Sequence, residues 1–374
     1  DVYKRQARPW RYYAHTQPAA LPPAGEQRRL SGLALGASWV IALTFASQAL
    51  RRAIERATTA PRTSARQNYL PQRGMQRELL SAAVYISSGA ATVATQAARA
   101  AARATTRACV VDTFADPAYA RSSVKIVGPK DDLLEATLAA ARDAFERVDL
   151  RAEPAPAPHP RQGAVDMVSF MPLTEKRDDD LLEACDALAW RFGEAFDGVP
   201  ILMYGPRAGR SLVEARRGTS FFASTKDAGP PFINLAPDFG PSNVTAEKGA
   251  AVVGAQPYVT NYNVAIDGSL EAGRAAAAAV RARFGVQVMA LPHAEGLVEV
   301  GCNLQAGGAR DSPAVGDVRA CIEASLPPSC SVRKAYVIGL APADARARAV
   351  DALAREPAER STFPRTHEAC GGPP

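Results

Sequence analysis

The 374-residue chain has no Cys-x-x-Cys pair, and no histidine stands at zinc-ligand spacing from its six cysteines, at positions 109, 185, 302, 321, 330 and 370. That excludes the usual structural zinc patterns. Cys185 falls on a helical apolar face, and Cys109 and Cys302 lie in strand-like runs, so the cysteines read as small buried hydrophobes. No metal and a reducing compartment are expected. There is no Gly-x-Ser-x-Gly elbow, and Gly205 to Gly209 lacks the Lys-Ser/Thr of a phosphate loop. No internal repeat stands out, and the alanine runs at 95–103 and 275–279 are ordinary helix interior. The body also lacks a basic surplus. Residues 1–75 hold twelve Lys/Arg against three Asp/Glu, a surplus of nine, while the whole chain carries +6, so the rest is about −3. A nucleic-acid reading needs a basic face on the folded domain, and none is expected.

An initiator methionine is missing too, and Asp1-Val-Tyr-Lys-Arg-Gln reads as translated adaptor sequence. Leu30 to Leu50 is uncharged and long enough to span a bilayer, though Ser, Thr, Gly and Gln dilute it. With the Arg- and Ser/Thr-rich, acid-poor stretch to Arg73, it has the composition of an organelle transit peptide. Residues 1–75 therefore read as a basic tail that is a targeting segment or non-native. Membrane contact is expected only if Leu30 to Leu50 is a retained native segment. The compartment is the cytoplasm, or a plastid or mitochondrion if the transit peptide is genuine.

What the chain does have is an alternation of buried-strand runs and amphipathic helices. Leu79 to Ile86 reads as a strand, followed by an alanine-rich helix to Ala102. Ala108 to Phe114 and Ser123 to Val127 form an antiparallel pair. Asp131-Asp132 open a helix whose core face carries Leu134, Leu138, Ala141, Phe145 and Val148. A strand over Ala164 to Leu173 precedes a helix with Leu181, Ala184, Cys185, Leu188 and Phe192 on one side, then a strand over Val199 to Tyr204. A Gly- and Pro-rich passage, Thr225 to Gly249, separates this half from strands at 250–255 and 258–266, a helix at 269–284, and strands at 286–291 and 297–304. Ser312-Pro313 marks a helix start, Val332 to Leu340 a last strand, and Pro342 the opening of a final helix to about Arg355. The fold class is α/β (α+β), with two consecutive subdomains, each a mixed β-sheet with helices on its outer face. Their expected bounds are 76–241 and 242–355, with a disordered tail at 356–374.

The chemistry centres on the stretch from Ala157 to Phe170, in which His159 stands between two prolines, beside Arg161 and ahead of Asp166 at the mouth of an apolar strand. Flanking prolines favour a stiff, extended loop, and an imidazole titrates near neutrality, so His159 can take and return a proton. A solvated loop histidine is the bland alternative.

His159-Pro-Arg-Gln-Gly-Ala-Val-Asp166 resembles the His-Pro-Arg-Met-Gly-Ala-Leu-Asp motif of the glutamate formimidoyltransferases. Leu235-Ala-Pro-Asp-Phe-Gly-Pro241, the ungapped spacing to Gly249-Ala-Ala-Val-Val-Gly-Ala255, and Asn261-Tyr-Asn-Val264 agree with it. The similarity covers roughly residues 80–355 and is nearest the stand-alone, plant-like members that lack the cyclodeaminase. It implies a formiminotransferase-like fold, a homodimer, and transfer of a formimino group from N-formimidoyl-glutamate to tetrahydrofolate as co-substrate. By it, His159 is the general acid/base. Asp166 either orients the imidazole or caps a turn. Arg161 either grips a substrate carboxylate or is a solvated loop arginine, and Arg121 either lines the folate site or closes a surface salt bridge. The segment Gly240, Pro241, Ser242, Asn243, Val244, Thr245, Ala246, Glu247, Lys248 and Gly249 binds folate or is a plain linker. Lys248 either attracts an anionic glutamyl tail or faces water. His293 sits in a hairpin turn and reads as solvated. His15 and His367 carry no role.

Four family positions differ. Phe114 replaces a strand aspartate, Ala120 an asparagine, Pro158 a glutamate and Ser88 a turn glutamate. These departures keep a second class of function in view, a weak or inactive folate-binding relative that serves in binding or assembly. Formyl transfer between 5-formyltetrahydrofolate and glutamate is a third.

Overall fold

Strand periodicity decides the layers. In the computed structural model, which describes residues 79–153, 159, 161–219, 233–307, 310–355 and 367–368, β1 (Leu80–Ile86) sends Leu80, Ala82, Val84 and Ile86 into one apolar cluster and Ala83 and Tyr85 to the opposite side. Such alternation with both sides buried is what a central strand requires. The described elements all belong to one unit, Gln67–Pro374. The basic tail to residue 75, Leu30 to Leu50 included, lies outside the described residues. None of the described helices is long and apolar enough to cross a membrane.

The first sheet has the order β11-β2-β3-β1-β4-β6-β5. It comprises β2 (Cys109–Asp116), β3 (Arg121–Gly128), β4 (Val165–Pro172), β5 (Ile201–Tyr204), β6 (Ala251–Ala255) and the two-residue β11 (His367–Glu368). β1 runs antiparallel to β3 and β4, whereas β4, β6 and β5 are mutually parallel. One face carries α1 (Ala91–Ala104), α2 (Lys130–Arg147) and α3 (Asp179–Ala195), with Leu133, Leu188 and Phe192 in the shared core. The opposite face receives α7 (Pro342–Ala354) through Ala345 and Ala349.

The second sheet, order β10-β7-β9-β8, is antiparallel throughout and comprises β7 (Thr260–Asp267), β8 (Gln287–Pro292), β9 (Val298–Leu304) and β10 (Ser331–Ile338). α5 (Leu270–Phe284) and α6 (Val315–Ser325) cover one face through Ala276, Val280, Val318 and Ile322. The other face is polar, because the alternate positions of β7 and β9 are Asn261, Asn263, Glu299 and Asn303. That polar face meets the first sheet, where Tyr85 Oη donates to Asn261 Oδ1 at 3.2 Å.

Several sequence expectations need correction. β6 was expected to open the second half but lies between β4 and β5, so the first sheet takes in a strand from beyond the boundary near Pro241. Ser312 does not cap α6, which starts at Val315 after Ala314 with no side-chain cap. The expected disordered end contains β11, which pairs in parallel with Phe114 and Ala115. A short helix, α4 (Leu212–Arg217), was missed despite its Ser211-Leu-Val-Glu214 capping box.

Two buried features of the β2–β3 pair carry measurable consequences. Ala120, in the turn, has φ +50°, a left-handed conformation that alanine adopts only at a cost. Asparagine tolerates that region, which gives a physical reason for the asparagine of the resembled family at this position. Ala120→Gly should stabilise the fold by about 1 kcal/mol in urea denaturation. Lys125 is 4% exposed, with Nζ 3.0 Å from Tyr258 Oη, which in turn donates to Leu340 O at 2.6 Å. Burial pushes its pKa down to about 8 against the opposing pull of Asp112. A lysine that binds its proton less tightly when folded makes stability rise with pH between about 8 and 10.5, by about 3 kcal/mol. Denaturation curves across that window should show the slope in the native chain and a much flatter one in Lys125→Met.

Candidate functional site

The expected catalytic residues converge where the β2–β3 hairpin, the loop before β4 and the C-terminal end of α4 meet. Prolines 158 and 160 lie outside the described residues, so what is seen of the loop is His159 and the chain from Arg161 onward. His159 is half-buried, and its Nδ1 accepts from Arg121 Nε at 3.4 Å. An imidazole that accepts at Nδ1 carries its proton, when neutral, at Nε2. His159 is therefore set as a donor at Nε2.

Asp166 does not orient the imidazole directly. Its Oδ1 accepts the backbone N–H of Gln162 and lies 3.7 Å from Arg121, while Oδ2 accepts from Arg216 at 3.0 Å. Burial raises its pKa, but the Arg121 and Arg216 guanidiniums and the Gln162 N–H outweigh that and hold the carboxyl below its ordinary range. Arg121 is thus the middle member of a chain, taking Asp166 on one side and His159 on the other, with Ser87 Oγ accepting from its terminal nitrogen at 2.6 Å. Arg161 is 6% exposed and feels the charges of Glu153 and Asp166. Arg216, on α4, was not foreseen. The one available signal was the capping box that places it in the last turn of a helix.

The segment 240–249 approaches the histidine loop at one end only. Gly163 and Gly249 form an antiparallel bridge, and Ala250 N donates to Gln162 O at 3.1 Å. A Cβ at Gly249, where φ is +68°, would stand 2.5 Å from Gln162 O, so that glycine serves the approach of two strands of this chain. Lys248 is neither a solvated side chain nor placed for an anionic tail. Its Nζ donates to Phe145 O at 2.7 Å and Val148 O at 2.8 Å, satisfying carbonyls at the end of α2. Glu247 O accepts Leu150 N at 2.9 Å, and Thr245 O accepts Gly249 N at 2.9 Å. Pro241, Ser242, Asn243, Thr245 and Ala246 are exposed.

Against the expectation of a solvated turn residue, the His293 side chain is 4% exposed. Its Nε2 lies 3.3 Å from Asp116 Oδ2, and its ring packs edge-on against Tyr119 at 4.8 Å. Tyr119 also contacts His159, with ring centroids 6.1 Å apart, and so stands between the two imidazoles. The Asp116 hydrogen bond, helped by nearby carboxylates, raises the His293 pKa, while burial raises that of Glu299. Phe114 stacks on Tyr336 at 6.4 Å, filling with aromatic contact the place of the family's aspartate. Residue 293 looks solvated in sequence because what buries it is the meeting of two hairpins almost 180 residues apart.

Cysteines 185, 302 and 321 are buried and those at 109 and 330 half-buried, all of them free. Burial pushes the Cys302 thiol up to about 12, which keeps it unreactive.

Residues 79–256 match the formiminotransferase domain, N-terminal subdomain. The chain is similar to the formiminotransferase cyclodeaminase-like protein of Arabidopsis thaliana, 33% identical over 258 residues, which is 63% of this chain and 86% of that protein. It is also similar to the glutamate formimidoyltransferase of Thermoplasma acidophilum, 31% identical over 180 residues, covering 47% of this chain and 58% of that enzyme. Against the formimidoyltransferase-cyclodeaminase of Sus scrofa it is 33% identical over 168 residues, 43% of this chain and 30% of the other. The matched part thus spans less than two thirds of the length of the latter two relatives.

Proposed function

Because the chain belongs to the formiminotransferase family, we propose that it moves a formimidoyl group from N-formimidoyl-L-glutamate to N5 of tetrahydrofolate, with His159 as the proton carrier. The observation that carries this reading is the arginine cluster beside the histidine. Arg121 and Arg216 lie 3.7 and 3.0 Å from Asp166, and Arg161 feels the same carboxylate. Planar, bidentate cations gathered beside the imidazole suit a substrate whose glutamyl moiety brings two carboxylates.

In the proposed reaction, N5 attacks the amidine carbon, a C–N bond forms, and the tetrahedral intermediate collapses by breaking the bond to the glutamate nitrogen. That nitrogen must gain a proton to leave. His159 Nε2–H is set to give it, because Arg121 occupies Nδ1. The ring then recovers a proton from N5, so the products are 5-formimidoyl-tetrahydrofolate and glutamate with no net proton change. Asp166 acts through Arg121 rather than on the imidazole.

One observation favours the second reading, a folate-binding relative without turnover. Phe114 brings a ring stacked on Tyr336 to the position where the family carries an aspartate. Titrating the full-length chain with folinic acid, followed by an assay with formiminoglutamate and tetrahydrofolate, separates the two. Binding with turnover supports transfer, and binding alone selects the inactive relative. Absence of binding removes folate from both. Light scattering on the same sample tests the homodimer we also propose from the family resemblance.

A further inference from the structure

Among the described residues, one group brings metal-ligating atoms together: Asp116, His293 and Glu299, whose ligand atoms all lie within 4.8 Å of one another. We propose that these three side chains form a binding site for one divalent first-row transition cation, zinc or manganese, which pins the β2–β3 hairpin to the β8–β9 hairpin behind Tyr119.

Three observations carry it. The first is the donor set. Asp116 and Glu299 are each 2% exposed, and His293 is the one basic side chain within salt-bridge distance of either among the described residues. Glu299 accepts from Asn263 Nδ2 at 2.8 Å with one oxygen and from Tyr336 Oη at 2.5 Å with the other. Two carboxyl groups and one imidazole, arriving from two hairpins, thus bring three oxygen and nitrogen donors to one buried place.

The second is spacing. The 3.3 Å between His293 Nε2 and Asp116 Oδ2 is long for a charge-assisted hydrogen bond. Two donors bound to one tetrahedral ion at ordinary zinc–nitrogen and zinc–oxygen lengths stand about 3.3 Å apart. The third is the outer ring of partners. Tyr119 N donates to Asp116 Oδ1 at 3.1 Å, leaving Oδ2 to face the imidazole, and Asn263 and Tyr336 hold Glu299 from behind. Metal ligands are characteristically oriented in this way by hydrogen bonds on their far side. A mixed nitrogen and oxygen donor set without thiolate suits zinc, manganese or iron rather than copper(I), and the imidazole disfavours magnesium and calcium.

The site does not depend on the transfer reading, and its test uses no activity. The full-length chain is stripped with EDTA, exchanged into chelator-free buffer, and titrated calorimetrically with ZnCl2 and separately with MnCl2, with MgCl2 as a control. Expected are one ion per chain for zinc or manganese, no heat with magnesium, and a Tm that climbs with the ion until the site is filled. His293→Asn should weaken binding by at least about 100-fold. Should that variant fail to fold, Tyr336→Phe decides, because it keeps the ring on Phe114 and deletes only the hydroxyl behind Glu299. Its expected loss is about 10-fold. CoCl2 should give a visible absorption band that is lost in Asp116→Asn. The proposal is overturned if the stripped chain takes up neither zinc nor manganese, or if uptake and the Tm rise persist in both Asp116→Asn and His293→Asn.

Discussion

Replacing His159 by asparagine is expected to lower formimidoyl transfer about 10²- to 10⁴-fold while leaving folinic acid binding largely intact. Asparagine keeps an oxygen that can accept from Arg121 Nε, so the Arg121–Asp166 pair stays in place and only the transferable proton is lost. In the proposed reaction that proton neutralises the departing glutamate nitrogen, and without it the intermediate returns to reactants. The effect should therefore appear in kcat with little change in KM. Steady-state kinetics of the purified variant, with folinic acid titration alongside, provide the check. A kcat within tenfold of the native chain would remove His159 from the proton steps.

The second large effect is expected at Asp166. Asp166→Asn leaves two guanidiniums, Arg121 and Arg216, facing a neutral amide in a place where the carboxylate side chain was 4% exposed. Breaking a buried ion pair from one side typically costs about 3–5 kcal/mol, because the remaining charge is left in a dry environment. Chemical denaturation should show a loss of that order, and transfer should fall with it, since Arg121 is also what positions His159. The pH dependence follows from the lowered carboxyl pKa. An acid that holds its proton less tightly when folded contributes stability above its unfolded pKa and forfeits it as pH falls through the folded one. The native chain should thus lose this contribution only in strong acid, and the asparagine variant should lack that part of the acid transition. A stability change under about 1 kcal/mol would mean that the two arginines are held by other groups.

How much of this was legible depends on range. His159, Arg161 and Asp166 sit within eight residues of one another, so a motif carried them, and the structure brings them together with Arg121 from the first strand pair. Arg216 is fifty residues from the carboxylate it holds. Its helix was announced only by Ser211 and Glu214, a signal too short for periodicity to reinforce. For Lys248 both readings missed, because nothing local says that the end of α2, a hundred residues upstream, supplies the carbonyls it satisfies. β6 was assigned to the wrong half because a buried parallel strand looks the same in sequence whichever sheet receives it.

From its own residues the chain determined its longer helices, most of its strands, and the local histidine motif, since all of these follow from spacings of two, three or four residues along the backbone. Tertiary structure alone decided that Asp116, Tyr119, His293 and Glu299 are dry neighbours. Their burial arises where a polar sheet face, the asparagines and glutamate of β7 and β9, closes on a hairpin from the other sheet. Such closure is set by how two sheets pack, and no window of sequence contains both sides of it.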